Sequence, residues 1–248
     1  MPKTILITGA SRGIGRAAAL LAGRRGWSVG VNYVRDEAAA QAVVREIERA
    51  GGKAVALHGD VAFEADVVAI FEGAVRALGP LDGVVINAGV VAPAARLADM
   101  SVERMKRVFD INVLGAFVCA REAARRLSKS LGGRGGSIVL ISSVASRLGS
   151  PSLYIDYAAS KGAIDTLTLG LSKELGAEGV RVNCVRPGLI ETDIHASGGE
   201  PGRAHRLGST SPMGRPGTAD EIGEAILWLL SDAASYATGA ILDVGGGR

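Results

Sequence analysis

Tyr157 and Lys161 stand four residues apart in the run Tyr157-Ala158-Ala159-Ser160-Lys161. At that spacing two side chains leave a helix from one face. An ammonium beside a phenol favours the phenolate and draws the tyrosine pKa from ~10 towards neutrality, by roughly 1–3 pKa units. A phenol tuned in this way gives or takes a proton at cellular pH. Ser143 lies fourteen residues before Tyr157, directly after an apolar run, where its hydroxyl can donate to an oxygen that gains charge. Ser142 is the weaker candidate for that place, and Tyr154 cannot replace Tyr157 because no lysine follows it by four. A third group is the turn Thr8-Gly9-Ala10-Ser11-Arg12-Gly13-Ile14-Gly15. Glycine lets a backbone turn tightly and approach a pyrophosphate, whose charge a following helix N-terminus favours. Its Gly-x3-Gly-x-Gly spacing departs from the commoner Gly-x-Gly-x-x-Gly. Singly, each feature has a plain structural reading: a half-buried helix tyrosine, a strand-end serine, a loop without a ligand.

The elements that must position these groups follow from hydrophobic pattern. Apolar runs at Thr4–Thr8, Ser28–Asn32, Ala54–Leu57, Gly83–Ile86, Ser137–Ile141, Val180–Val185 and Ile241–Val244 read as strands. Several lack alternation, as strands covered on both faces do. Helical segments are expected near Ile14–Arg25, Glu37–Ala50, Glu64–Leu78, Val102–Leu131, Tyr157–Leu175 and Ala219–Ser231. Asp36 and Ser101 can cap two of them. Strand and helix alternate throughout, which predicts an α/β, Rossmann-like doubly wound fold: a seven-stranded parallel sheet with helices on both faces. No composition shift divides residues 1–248, so a single domain is expected. Leu189–Gly217, rich in glycine, proline and serine, reads as a lid over its site.

Composition closes off other classes. The chain has 248 residues, with 28 Lys and Arg against 25 Asp and Glu. A net charge of +3 gives no basic face for nucleic acid. No apolar run approaches the ~20 residues of a membrane span, and a glycine loop by Gly9 leaves no room for a signal peptide, so a cytoplasmic protein is expected. Cys119 and Cys184 form neither a CxxC motif nor a zinc pattern, so no metal is expected and both read as buried thiols.

With Asp60-Val61, Asn87-Ala88-Gly89, Asn112 and Pro187-Gly188 followed by Thr192, seven motifs fall in one order along the chain. In that order they resemble the short-chain dehydrogenase/reductase family over essentially the whole length, similar to its 3-oxoacyl-carrier-protein reductases and sugar dehydrogenases. The resemblance implies a nicotinamide cofactor. Gly9, Ser11, Arg12, Gly13, Ile14 and Gly15 would hold its pyrophosphate, and Asp60 and Val61 would meet the adenine. Asn87, Ala88 and Gly89 would fix the strand beside it, and Pro187, Gly188 and Thr192 would flank the nicotinamide. It also implies that Tyr157 exchanges a proton with the substrate oxygen and that Lys161 holds ribose hydroxyls. Ser143 would donate to the developing alkoxide, and Asn112 would distort its helix and support a water relay. Two departures stand out. The Ser143–Tyr157 spacing is one residue longer than in many members, and Ile86 replaces the first asparagine of the usual Asn-Asn-Ala-Gly.

Cofactor choice rests on the end of the second strand. Asn32 stands where NAD-selective members carry an acid, and Arg35 and Arg12 can meet a 2′-phosphate. Asp36 reads as a helix cap. The expectation is NADP(H), with NAD(H) second, and a small-molecule carbonyl or alcohol as substrate. Reduction of a 3-oxoacyl thioester and dehydrogenation of a sugar or polyol both stay open: Glu178 occupies the region where carrier-reading members place an arginine, while Arg134 keeps a second basic position. His195, Arg203, His205 and Arg206 in the lid read as solvated, with an anion contact as the other reading. A catalytically silent NADP(H)-binding sensor or scaffold is the alternative to an enzyme, though a sensor has no reason to keep Asn112, Ser143, Tyr157 and Lys161 together. The helices 102–131 and 157–175 carry Ala116, Ala120, Ala123, Ala124, Ala163, Leu167, Gly170 and Leu171 beyond one core stripe, which with the resemblance implies a homotetramer.

Overall fold

The computed structural model describes residues 2–248, with the side chains of His195 and Ser197 outside that description. Seven strands form one sheet: β1 (Thr4–Ile7), β2 (Ser28–Tyr33), β3 (Lys53–His58), β4 (Gly83–Ile86), β5 (Gly136–Ile141), β6 (Val180–Pro187) and β7 (Ile241–Val244). All pair in parallel, in the order β3-β2-β1-β4-β5-β6-β7. Ten helices connect them: α1 (Gly13–Arg24), α2 (Glu37–Arg49), α3 (Glu64–Leu78), α4 (Val102–Phe109), α5 (Ala116–Leu127), α6 (Ala145–Leu148), α7 (Ile155–Leu175), α8 (Ile194–Ser197), α9 (Arg203–Gly208) and α10 (Ala219–Leu230).

The strands are apolar throughout because each supplies two cores. Ile5, Ile7, Val29, Val31, Val139 and Ile141 face a core closed by α1, α2 and α10. Their neighbours Leu6, Val84, Ile86, Ile138 and Leu140 face the opposite core, closed by α3, α5 and α7. This is the period-two geometry of a strand with both faces covered. Caps fall where the sequence puts them: Asp36 accepts from the Ala39 N–H at 2.8 Å and Ser101 from that of Arg104 at 3.2 Å. The chain winds outward from β1 to β3 and restarts at β4 on the other side of β1. That reversal opens a crevice between the C-terminal ends of β1 and β4.

Four expectations are revised. The single helix over residues 102–131 is broken by a π-helical segment, Asp110–Gly115, between α4 and α5. The extra residue of such a turn lets Asn112 leave the helical ladder for other partners, and hydrophobic period alone does not reveal it. Leu189–Gly217 is not irregular throughout. It holds α8 and α9, and its neck is closed by hydrogen bonds from the Gly217 N–H to the Leu189 carbonyl and from the Glu191 N–H to the Gly217 carbonyl, both 2.9 Å. Ala116, Ala120 and Ala123 do not form a second apolar face but lie buried in the core. Between its ends, where Val102 and Leu131 are exposed, the large apolar residues that this stretch exposes are Phe109, Leu114 and Phe117. Finally, α6 stands between β5 and α7, where no element was expected. Among the described residues, no helix is long and apolar enough to cross a membrane.

Candidate active site

The turn after β1 enters the crevice with Gly9 at φ 64° and Gly13 at φ 56°, a region that side chains disfavour. A Cβ on Gly9 would lie 3.1 Å from the Ala88 Cα, and one on Gly15 would run into the Gly9 carbonyl. Side chains brace the turn from both sides. The Asn87 Nδ2 donates to the carbonyls of Thr8 at 2.8 Å and Gly9 at 3.0 Å. The Thr8 Oγ1 accepts from the N–H groups of Asn87 at 2.9 Å and Ala88 at 3.0 Å. From β2, the Asn32 Oδ1 accepts from the Gly9 N–H at 3.0 Å, while its Nδ2 donates to Leu57 and Gly59 carbonyls at 3.1 and 3.0 Å.

A groove of about 740 Å³ runs over this frame. Gly9, Ser11, Arg12, Gly13, Ile14, Asn32, Arg35, Asp60, Val61, Asn87, Ala88, Gly89 and Thr192 border it. Gly15 does not, because it packs beneath Gly9. Asn32 borders it but is 1% exposed, and its amide is already committed to backbone, so it holds the turn rather than a ligand. Arg12 and Arg35 are exposed and, among the described residues, have no ion-pair partner. A side-chain-free cradle at the N-terminus of α1, opening on a groove of this size, fits a dinucleotide.

A second cavity of about 180 Å³ continues from the groove and shares Ile14, Asn87, Gly89 and Thr192 with it. Ser143, Tyr157, Lys161, Pro187 and Gly188 border this cavity. Tyr157 sits in the first turn of α7 and Lys161 one turn on, with its Nζ 5.6 Å from the Tyr157 ring centre. Ser143 is close enough to the Tyr157 hydroxyl to act on its pKa, while its Oγ accepts from the Ala145 N–H at 3.1 Å. Ser142 is instead buried and donates to the Lys161 carbonyl at 3.0 Å, fastening α7 to β5. The long Ser143–Tyr157 spacing is taken up just before α7, where Gly149, Ser150 and Ser152 have φ of 70°, 45° and 59°. Such angles are strained for serine.

The electrostatics differ from the sequence expectation. Burial pushes the Tyr157 phenol up to about 12, with Ser143 opposing it. Burial also brings Lys161 down to about 8, only partly offset by Cys184 and Asp165. The Lys161 Nζ donates to the Ile141 carbonyl at 2.8 Å and not to the phenol oxygen. Desolvation of both groups therefore outweighs the attraction expected between ammonium and phenolate.

The family described as Enoyl-(Acyl carrier protein) reductase matches residues 9–248. The chain is 54% identical to an uncharacterized oxidoreductase, YgfF, of Escherichia coli (strain K12), over 98% of each protein. It is 37% identical to an L-rhamnose 1-dehydrogenase (NAD(P)(+)) of Sphingomonas sp. (strain SKA58), over 99% of this chain and 95% of that one. The crystal structure of acetoin dehydrogenase YohF from Salmonella typhimurium superposes with a TM-score of 0.88 at 33% identity, covering 100% of this chain and 97% of that one. The chain belongs to the short-chain dehydrogenase/reductase family. It is therefore an oxidoreductase of the kind that binds a nicotinamide dinucleotide and acts on alcohols or carbonyls.

Around the site, this dehydrogenase/reductase has supports that sequence reading missed, Val90, Ser160, Arg104 and Asp156, which hold residues that it named. Asn112 borders neither cavity and is buried behind them. Its Oδ1 accepts from the Val90 N–H at 2.8 Å, and its Nδ2 donates to the Val90 carbonyl at 2.9 Å and the Ser160 Oγ at 3.1 Å. Ser160 in turn donates to the Tyr157 carbonyl at 2.7 Å. A Cβ on Gly89 would lie 3.4 Å from both the Asn112 Oδ1 and the Lys161 Nζ, an ordinary contact, so Gly89 marks where these two side chains approach each other. Arg104 grips Asp156 with two bonds of 2.8 and 3.2 Å, and Asp156 accepts from the Tyr157 N–H at 2.9 Å. Tyr154, Arg203 and Arg248 also border the cavity that holds Tyr157. No spacing signal joins these three, because they come from segments far apart in the chain. Of the other lid residues read as solvated, His205 is exposed near Glu191 and Arg206 pairs with Glu200. Among the described residues, no group of three or more His, Cys, Asp or Glu could hold a metal.

Proposed function

We propose that this protein is an NADP(H)-dependent enzyme that interconverts a carbonyl and a secondary alcohol of a small molecule, working in the cytoplasm as a homotetramer. The observation that carries the reading is that Ser143, Tyr157 and Lys161 converge on one cavity that opens into a dinucleotide-sized groove at the β1/β4 crevice. The cofactor supplies the hydride in reduction and accepts it in oxidation. Tyr157 donates a proton to the substrate oxygen in reduction and removes it in oxidation. Ser143, within reach of the same hydroxyl, donates to the oxygen as charge develops on it. Lys161 holds ribose hydroxyls and keeps a positive charge near the phenol. Asn112 positions this machinery from behind, through Val90 and Ser160.

The glycine turn receives the pyrophosphate, Asp60 and Val61 the adenine, and Thr192 the carboxamide beside Pro187 and Gly188. NADP(H) is favoured over NAD(H) because Arg12 and Arg35 border the groove without ion-pair partners among the described residues, while Asp36, next to Arg35 in the chain, serves as a helix cap. Tetramer assembly is supported by the exposed Phe109, Leu114 and Phe117 beside the α4–α5 break. Residues 189–217 act as a lid. Turnover of ketones, acyl thioesters and sugars, measured with NADPH and with NADH, tests the reading. NADPH-dependent turnover that needs Tyr157 is expected. Tight cofactor binding with no turnover of any of them would point to a sensor instead.

A further inference from the structure

Among the described residues, the charged ones bordering the catalytic cavity are Lys161, Arg203 and Arg248, and no Asp or Glu borders it. Lys161 is occupied beside Tyr157, with its Nζ on the Ile141 carbonyl. The other two converge from separate segments, Arg203 on α9 and Arg248 beyond β7. The Arg203 side chain is 13% exposed, lies 5.0 Å from the Tyr154 ring centre and donates to Glu200 at 2.9 Å. Glu200 also accepts from the Tyr154 hydroxyl at 3.0 Å and pairs with Arg206. One carboxylate thus serves two guanidiniums, and the cluster keeps a positive charge.

Arg248 is the sharper signal. Among the described residues, its Nη1 is the buried side-chain nitrogen or oxygen that has no hydrogen-bond partner. Its backbone is held in place, since the carbonyl accepts from Arg147 at 3.1 Å and the N–H donates to the Gly245 carbonyl at 3.3 Å. A buried donor without an acceptor is costly, more so when charged. The acceptor that suits a guanidinium best is a carboxylate or phosphate. A cavity of about 180 Å³ is close to the ~150 Å³ that holds benzene, and the nicotinamide shares it at Pro187, Gly188 and Thr192, so the substrate beside it is small. That size fits a short carboxylic acid and excludes a sugar phosphate.

We infer that the substrate is a small oxo acid, or the matching hydroxy acid, with its carboxylate received by Arg248 and flanked by Arg203 while its carbonyl faces Tyr157 and Ser143. This rests on the oxidoreductase reading above and narrows it to one substrate class. Calorimetry of the NADP⁺-loaded enzyme tests it with 3-oxobutanoate and 4-oxopentanoate, each against its primary amide. NADP⁺ and an oxo acid are both oxidised and cannot react, so the titration reads binding alone. At least one acid is expected to bind ten-fold or more tighter than its amide. Arg248→Met should bring the acid to the amide's affinity, Arg248→Lys should keep part of the preference, and Arg203→Met should reduce it. Equal affinity of acid and amide, no binding of either acid, or a preference that survives Arg248→Met overturns the inference. The wild-type comparison needs no variant to fold. Turnover of the same four compounds with NADPH separates the two readings: an acid preference in binding without turnover of any of them upholds the anion site and overturns the oxo acid as substrate, leaving the oxidoreductase reading to its own panel.

Discussion

Tyr157 is buried where its neutral form is the stable one, so its two chemical directions should respond differently to pH. A proton donor must start as phenol, and with the phenol pushed up to about 12 it is fully protonated at pH 7. Carbonyl reduction is therefore expected to be flat between pH 6 and 8. Alcohol oxidation needs the phenolate, so its kcat/KM should climb with pH from 7 to 10; a flat oxidation profile would remove Tyr157 as the base. Tyr157→Phe should lower kcat by about 10²–10⁴ while leaving NADPH affinity intact, as acid/base deletions do. Lys161 makes a different trade. Its folded value of about 8 lies below the ordinary 10.5, so below pH 8 it is charged in both folded and unfolded states and the cost of burying that charge is fully felt. As pH rises from 8 towards 10.5 the folded protein sheds this proton first and the cost fades. Lys161→Met should thus be inactive yet about 1–3 kcal/mol more stable at pH 7, less the lost Ile141 bond, with the gap narrowing by pH 9.5 in paired urea titrations.

The π segment holds Asn112 behind the site, and residues of the proposed lid, 189–217, border it. Asn112→Ala would strip partners from both backbone groups of Val90 and from Ser160, so a loss of roughly 2–4 kcal/mol is expected in chemical denaturation. Ser160→Ala, which breaks single bonds on either side, should cost only about 1 kcal/mol. In the lid, residues 191–211 should exchange amide hydrogens quickly in the free enzyme and slow when NADPH and substrate bind. Strong protection that is equal in both states would mean a fixed loop. What the sequence made legible here follows physical lines. Strands such as Gly83–Ile86 are runs of apolar side chains that fill two cores, and that demand is written directly in residue type. The glycine turn and Tyr157/Lys161 were legible because local spacing alone brings their groups together. The π turn was legible only through the resemblance, which implies that Asn112 distorts its helix; local spacing does not carry it, because Asn112 meets Val90 and Ser160 on other parts of the chain. Arg248 went unread, Arg203 had an anion contact only as its second reading and Tyr154 entered only as a failed substitute for Tyr157, because their meeting is tertiary. The commitment of Asn32 to Gly9 and to the end of β3 was equally hidden, because residue type told only that no acid stands there.

On the scale of the molecule, the face around α4 and α5 exposes Phe109, Leu114 and Phe117 at 41%, 55% and 46%. Light scattering should give a particle of about four times the 25.3 kDa chain, and Phe117→Glu should shift it to smaller species. A wild-type particle of chain mass at micromolar concentration would refute the assembly. The crevice itself is a braced piece: hydrogen bonds run from Asn32 through Gly9 and Thr8 to Asn87, tying together the ends of β2, β1 and β4. That bracing has an evolutionary consequence. Asn32→Asp looks like the shortest path to a partner for a ribose 2′-hydroxyl. Yet it would set a carboxylate against the Leu57 and Gly59 carbonyls that now accept from the amide. Val34 and Arg35, by contrast, face solvent on the rim and can change without touching the brace. A lineage that switches its cofactor should therefore do so by drift along the rim, with Asn32 inherited unchanged beneath it.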